Sequence, residues 1–202
     1  MHRGFLLATL LLVLGAATME AQVLATPIYK SPYRSFKRSE LAGYLSDPGE
    51  GVSVAVQGEY RIARPKFDVG FTVGFLDGSA GNNSLFGLGI DGRLPVVTHT
   101  KDFPLDASLT GGFGALFGNG ESGFLLPLGV SMGRQVLLEG STVSFTPYVN
   151  PVIVPTFGDL SGDVQFGLGL GVDISLSRTL DIRVSGSLGD IDGVGIGLAW
   201  HH

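Results

Sequence analysis

Residues able to do acid–base or nucleophilic chemistry are few and scattered along this sequence. Histidine occurs only at positions 2, 99, 201 and 202, and cysteine is absent. A hydrolytic hydroxyl needs an imidazole or carboxylate base within hydrogen-bond reach, yet His99 stands in a reversal and His201 and His202 close the chain. Asp190 and Asp192 could pair as acid and base, but Gly-Asp-Ile-Asp-Gly has the make-up of a solvated turn. There is no phosphate loop, no Cys/His metal set and no basic-aromatic surface. No catalytic residue, metal ligand, cofactor or nucleic-acid partner is therefore expected, and the chain reads as a non-enzyme. A different set of charges has a regular setting. Glu59, Arg61, Asp68, Asp91, Arg93, Asp106, Asp173, Asp181 and Arg183, with Asn150, all interrupt apolar alternations at the same parity. Opposite charges withdrawn from water survive only when paired, so they are expected to form a salt-bridged interior network.

The elements that must carry these charges are strands. In GVSVAVQGEYRIA (51–63) Val52, Val54, Val56, Tyr60 and Ile62 mark the apolar face, and KFDVGFTVGF (66–75) alternates Phe and Val against Asp, Thr and Gly. Period-two alternation of this kind argues strands with one apolar side. It recurs over 86–94, 105–117, 124–132, 143–149, 166–176, 180–188 and 194–200, which makes nine strands. A tenth is expected over 39–46, where Leu41, Gly43 and Leu45 alternate before the Asp-Pro-Gly turn; a short helix over 35–45 is the rival reading. The opposite faces are rich in glycine, as at Gly87 and Gly89, Gly167 to Gly171, and Gly195 and Gly197. Glycine weakens a solvent-facing strand and is kept where space is tight. Its abundance on this side would also widen an interior passage. PYVNPVIVPTF (147–157) fits least well, because each of its three prolines lacks a ladder donor, so bulges or an early end to pairing are expected there.

The start of the chain indicates export. Arg3, the apolar run Phe5–Leu14 and the small residues that follow have the layout of a secretory signal peptide, with 1–21 removed after Ala21. Residues 22–38 would form an N-terminal leader outside the barrel, and 39–202 the folded unit. Charged residues are only 15% of the chain, and glycine is 32 of 202. Soluble domains usually carry about a quarter charged residues, so the apolar excess needs a non-aqueous neighbour.

An up-and-down meander makes a separate check possible, because successive reversals then fall at alternate ends. One end collects Asp47, Glu50, Asp77, Glu121, Asp159, Asp163, Asp190 and Asp192 without a Lys or Arg. The other collects Arg61, Arg64, Lys66, Arg93, Lys101, Arg134 and Arg178 against Asp102 and Glu139, and the leader's Lys30, Arg34, Lys37 and Arg38 join it. The signs separate only if the strands are counted correctly. The strands are long, about 10 to 14 residues, and a bilayer is crossed by roughly 9–11 tilted residues. In hydrocarbon such strands must close into a barrel to pair every backbone group.

Taken together, the signal peptide, the long alternating strands, the even count and the aromatic near the end resemble the small bacterial outer-membrane β-barrels. The expected fold is therefore an all-β, antiparallel up-and-down transmembrane β-barrel of about ten strands, with eight as the alternative. The resemblance implies a Gram-negative outer-membrane location, lipid partners, periplasmic termini with 22–38 a periplasmic leader, and an extracellular acidic rim. It also implies that Val194, Ile196, Leu198 and Trp200 act as the signal read by the barrel-assembly machinery, although His201 and His202 follow the aromatic. Fold does not choose function. The leading expectation is a structural or interaction barrel with a closed or very narrow lumen. A narrow porin-like channel for small ions or solutes is the alternative, and an exported self-assembling extracellular β protein is a third reading. Weak divalent-cation binding at the acidic rim is a further expectation, since hard cations take oxygen ligands.

Overall fold

A computed structural model describes residues 24–33, 38–49, 52–78, 84–118, 120–159 and 163–202. The signal peptide, Glu50, Arg34 and Lys37 lie outside these residues. Twelve strand segments follow one another: β1 (Glu40–Asp47), β2 (Val52–Ala63), β3 (Asp68–Gly78), β4 (Leu85–Val97), β5 (Asp106–Gly118), β6 (Glu121–Leu125), β7 (Leu128–Gly133), β8 (Val136–Leu137), β9 (Ser144–Gly158), β10 (Val164–Ser175), β11 (Leu180–Gly189) and β12 (Gly193–His201). Each pairs antiparallel with its neighbours, and β12 pairs with β1 from Glu40↔His201 to Asp47↔Val194. β9 joins β10 on one side and β6 and β7 on the other. The sheet is therefore a closed barrel. β6 and β7 share the same two neighbours and form one interrupted stave, and β8 is a two-residue extension on β9, so the wall has ten staves.

Ten antiparallel staves agree with the expected fold and exclude the eight-stranded alternative. Glu40–Asp47 is strand, so the helix considered over 35–45 does not form across it. The reversals alternate as the meander requires, and the described acidic ones all lie at one end.

Alternation places the apolar side of each stave outward. Leu41, Leu45, Phe71, Ile90, Ile196 and Leu198 all stand exposed on the outer surface. Near the acidic end Phe75, Phe86 and Phe117 sit on successive staves in direct register, and Phe124 faces Phe157. Near the basic end His202 stacks on Trp200 at 5.1 Å and on Tyr60 at 5.8 Å between ring centroids. An apolar band between two aromatic girdles is the outer surface of a transmembrane barrel.

The prolines act differently from the expectation. β9 keeps its full fifteen residues and pairs with β10 from Ser144 to Pro155. The carbonyls of Pro147 and Pro155 accept bonds from Arg134 and Leu126, so these prolines present their missing donors to the β6/β7 side. Pro151, halfway between them, has the same parity. The interruption therefore falls on the neighbouring stave, which breaks at Leu126–Pro127, and β7–β9 pairing lapses between Gly129↔Val152 and Met132↔Val149 without a change of register.

Candidate functional site

Among the described residues buried polar chemistry concentrates in the lumen, which residues 24–33 of the chain's own leader occupy. Residues 24–33 run inside the barrel, not outside it as the sequence suggested. Leu24 lies beside Gly74 and Gly87 near the acidic end, Ile28 beside Gly195 and Tyr29 beside Gly169. Further toward the basic end Ser31 bonds Asp173 at 2.6 Å, and Pro32 accepts from Ser108 at 3.1 Å. The wall holds the leader mainly by its carbonyls. Ser185 donates to Pro27 O (2.6 Å), Tyr148 to Tyr29 O (3.0 Å), Ser131 to Lys30 O (2.6 Å) and Arg93 to Ser31 O. Gln57 also donates to the Thr26 hydroxyl at 2.7 Å. These contacts satisfy an extended backbone that has no strand partner.

The inward glycines are filled, not open. A Cβ at Gly169 would stand 2.2 Å from the Tyr29 ring, and one at Gly195 would stand 2.4 Å from Ile28. Gly197 and Gly171 are covered in the same way by Tyr44 and Tyr148 from adjoining staves. Glycine on this face makes sockets for rings and for the leader, so it does not widen the passage.

The interior has two layers. Toward the acidic end Leu24 packs with Leu76, Leu116, Leu125, Val154 and Ile191, all nearly inaccessible to water. This inner apolar cluster was not anticipated, because Leu76, Leu116 and Leu125 fall on the parity read as polar. Toward the basic end lies the charged layer. Arg61, fully buried, bonds Glu59 at 2.7 Å, pairs with Asp68 and Asp91, and lies 3.8 Å from Glu40. Arg93 bonds the second oxygen of Asp68 at 3.0 Å. Arg183 grips Glu40 with two bonds of 2.9 Å and donates to Tyr44 at 2.8 Å. It also lies 3.7 Å from Asp173 and 3.9 Å from Asp181. Two-point contact of this kind fixes geometry as well as charge.

Register explains why these groups meet. Arg61, Gly70 and Asp91 are direct cross-strand partners on β2, β3 and β4. A Cβ at Gly70 would come within 2.5 Å of the Arg61 guanidinium and 2.9 Å of Asp91. Glycine on the middle strand lets the arginine span two strands.

Of the residues expected in the network, Glu59, Arg61, Asp68, Asp91, Arg93, Asp173, Asp181 and Arg183 lie in this layer. Asp106 stands at the basic mouth, bonding the amide and ring of His99. Asn150 is buried inward with its Oδ1 unbonded. Three participants were missed. Glu40 begins β1, Lys30 pairs with Glu59 from the leader and lies 4.9 Å over the Tyr44 ring, and His201 bonds Asp181 at 2.7 Å. Lys30 therefore belongs to the interior and not to the basic rim. Val194, Ile196, Leu198 and Trp200 all project from the outer face of β12. Among the described residues, the ring hydrogen bonds of the histidines go to Asp106 and Asp181, and no group of three His, Cys, Asp or Glu side chains converges as a metal site.

Two cavities flank the leader. A small one of about 50 Å³ touches Thr26, Lys30, Glu59 and Asp91, room for a few waters at most. A vestibule of about 500 Å³ opens at the basic end between Tyr33, Gln135, Thr146, Arg178 and His201.

No family model matches the chain, and no curated protein does. Solved structures are similar in fold. The β domain of the Bordetella autotransporter Brka superposes with a TM-score of 0.58 at 12% identity, over 82% of this chain and 99% of that one. A bacterial polysaccharide outer membrane secretin gives 0.47 at 14% identity, over 84% and 67%. A de novo designed transmembrane β-barrel gives 0.41 at 12% identity, over 86% and 98%. At 12% identity the first of these likenesses is one of architecture alone, that of a transmembrane barrel.

Proposed function

We propose that this chain is a non-enzymatic outer-membrane β-barrel with a structural or interaction role, exported by a cleaved signal peptide and closed at rest. The observation that carries the reading is the conjunction of a lipid-compatible outer band with a lumen that the chain's own residues occupy below the basic-end vestibule. Apolar side chains and aromatic girdles face outward, while the leader, the inner apolar cluster and the ion network occupy the interior. A water-soluble filament former would need further copies of the chain to cover that band, whereas lipid covers it directly. The partners that follow are outer-membrane lipids and, through the last strand, the barrel-assembly machinery.

The test is fractionation of producing cells combined with heat-modifiable gel migration. The expected outcome is an outer-membrane protein whose unheated band runs apart from its heated band. A detergent-free, soluble and filamentous mature protein would overturn the reading. Planar-bilayer recording of the full-length protein is expected to show no porin-like steps.

A further inference from the structure

The leader supplies the interior with a cation on a carboxylate that the wall's own guanidiniums share with others. Among the described residues, the wall contributes six carboxylates to the interior layer (Glu40, Glu59, Asp68, Asp91, Asp173 and Asp181) against three guanidiniums (Arg61, Arg93 and Arg183). Counting these groups alone, the wall is three charges negative. Among residues 24–33 Lys30 is the one cation, and it sits on Glu59.

The leader's attachment also has the character of a seated ligand. None of the described leader residues belongs to a strand of the barrel. Four of the five wall groups that grip its carbonyls are hydroxyls, whose bonds water can replace at modest cost. Leu24 fills the centre of the apolar cluster at the acidic end, where hydrophobic constrictions gate by excluding water. An extended chain occupies a column roughly 5 by 10 Å across. Its withdrawal would leave a passage of that order, bordered by surplus carboxylate.

We infer that the barrel is a cation-selective pore for which residues 24–33 are the displaceable plug, with Lys30 standing where a permeating cation would otherwise bind. This deepens the proposed membrane role and rests on it. Rings of carboxylates select cations by the same electrostatics. The occupant expected in the open state is a small monovalent or divalent cation, held by Glu59 and its neighbours.

The experiment uses the full-length protein, a variant lacking residues 24–33, and a full-length variant carrying Leu24→Gly, Ile28→Gly and Lys30→Glu. Each is first checked for heat-modifiable migration and bilayer insertion, then recorded in planar bilayers under a potassium chloride gradient. The full-length protein is expected to be silent. The deletion variant should give steps whose reversal potential lies on the cation side, and the triple variant should give intermittent openings of the same selectivity. A synthetic peptide of residues 24–33 should block the deletion variant. The same peptide with Lys30→Glu should block at least about tenfold more weakly, as expected when a buried ion pair loses one partner. Folded, inserted variants that stay silent, or that pass anions preferentially, would overturn the plug and leave the membrane reading standing. If the deletion variant does not fold, silence of the folded triple variant overturns the inference by itself. Proteins that never enter the membrane overturn the membrane reading instead.

Discussion

Arg61 is where the interior is most exposed to a single substitution. Its guanidinium is fully buried and serves Glu59, Asp68 and Asp91 together. A buried pair adds little compared with a well-packed apolar replacement, but losing one partner strands the others without water. Arg61→Ala is therefore expected to destabilise the barrel by about 3–5 kcal/mol, measured as a lower urea midpoint in lipid vesicles. Gly70→Val is expected to act through the same group, because the space its side chain needs is taken by the Arg61–Asp91 contact. Double-mutant analysis should find Gly70→Val and Asp91→Asn strongly non-additive, since both break one interaction.

Strand parity decides the outcome at the scale of an element. On β12 the outward series Val194, Ile196, Leu198 and Trp200 alternates with the inward Gly195, Gly197 and Ala199. Arginine is costly on a lipid face at the bilayer midplane and nearly tolerated at the interface. Leu198→Arg should thus cost about 2–4 kcal/mol and Val194→Arg about 0–1 kcal/mol, read from refolding into vesicles. The outward series was plain in the sequence because period-two alternation needs no tertiary information, and the charge separation between reversals gave the strand count without using hydrophobicity. The break between β6 and β7 was less visible. Its cause is shared: Pro155 on β9 withholds a donor from Leu126, and Pro127 withholds its own from Gly112 on β5. The inner apolar cluster was hidden because Leu76, Leu116 and Leu125 share a parity with glycines and charges, and only the closed barrel brings them together.

Over the whole molecule, barrel and end polarity were legible, but the lumen's occupant was not. Leu24–Tyr33 has two prolines, no repeat and no long apolar run, so nothing local distinguishes a plug from a tether. A signal that could have found it lay elsewhere: inward carboxylates outnumber arginines, and Ser108, Ser131 and Ser185 are inward hydroxyls. Those hydroxyls bond the leader. The path of the leader also changes the parity of the chain. Ten staves alone would return both chain ends to one side of a membrane, but the passage inside the wall is an eleventh crossing. An epitope placed immediately before Leu24 and another after His202 should therefore label from opposite faces of intact cells. Finding both on the same face would mean that the leader does not traverse the lumen in the cell. With an odd number of crossings, Leu24 and His202 stand toward opposite ends of the barrel.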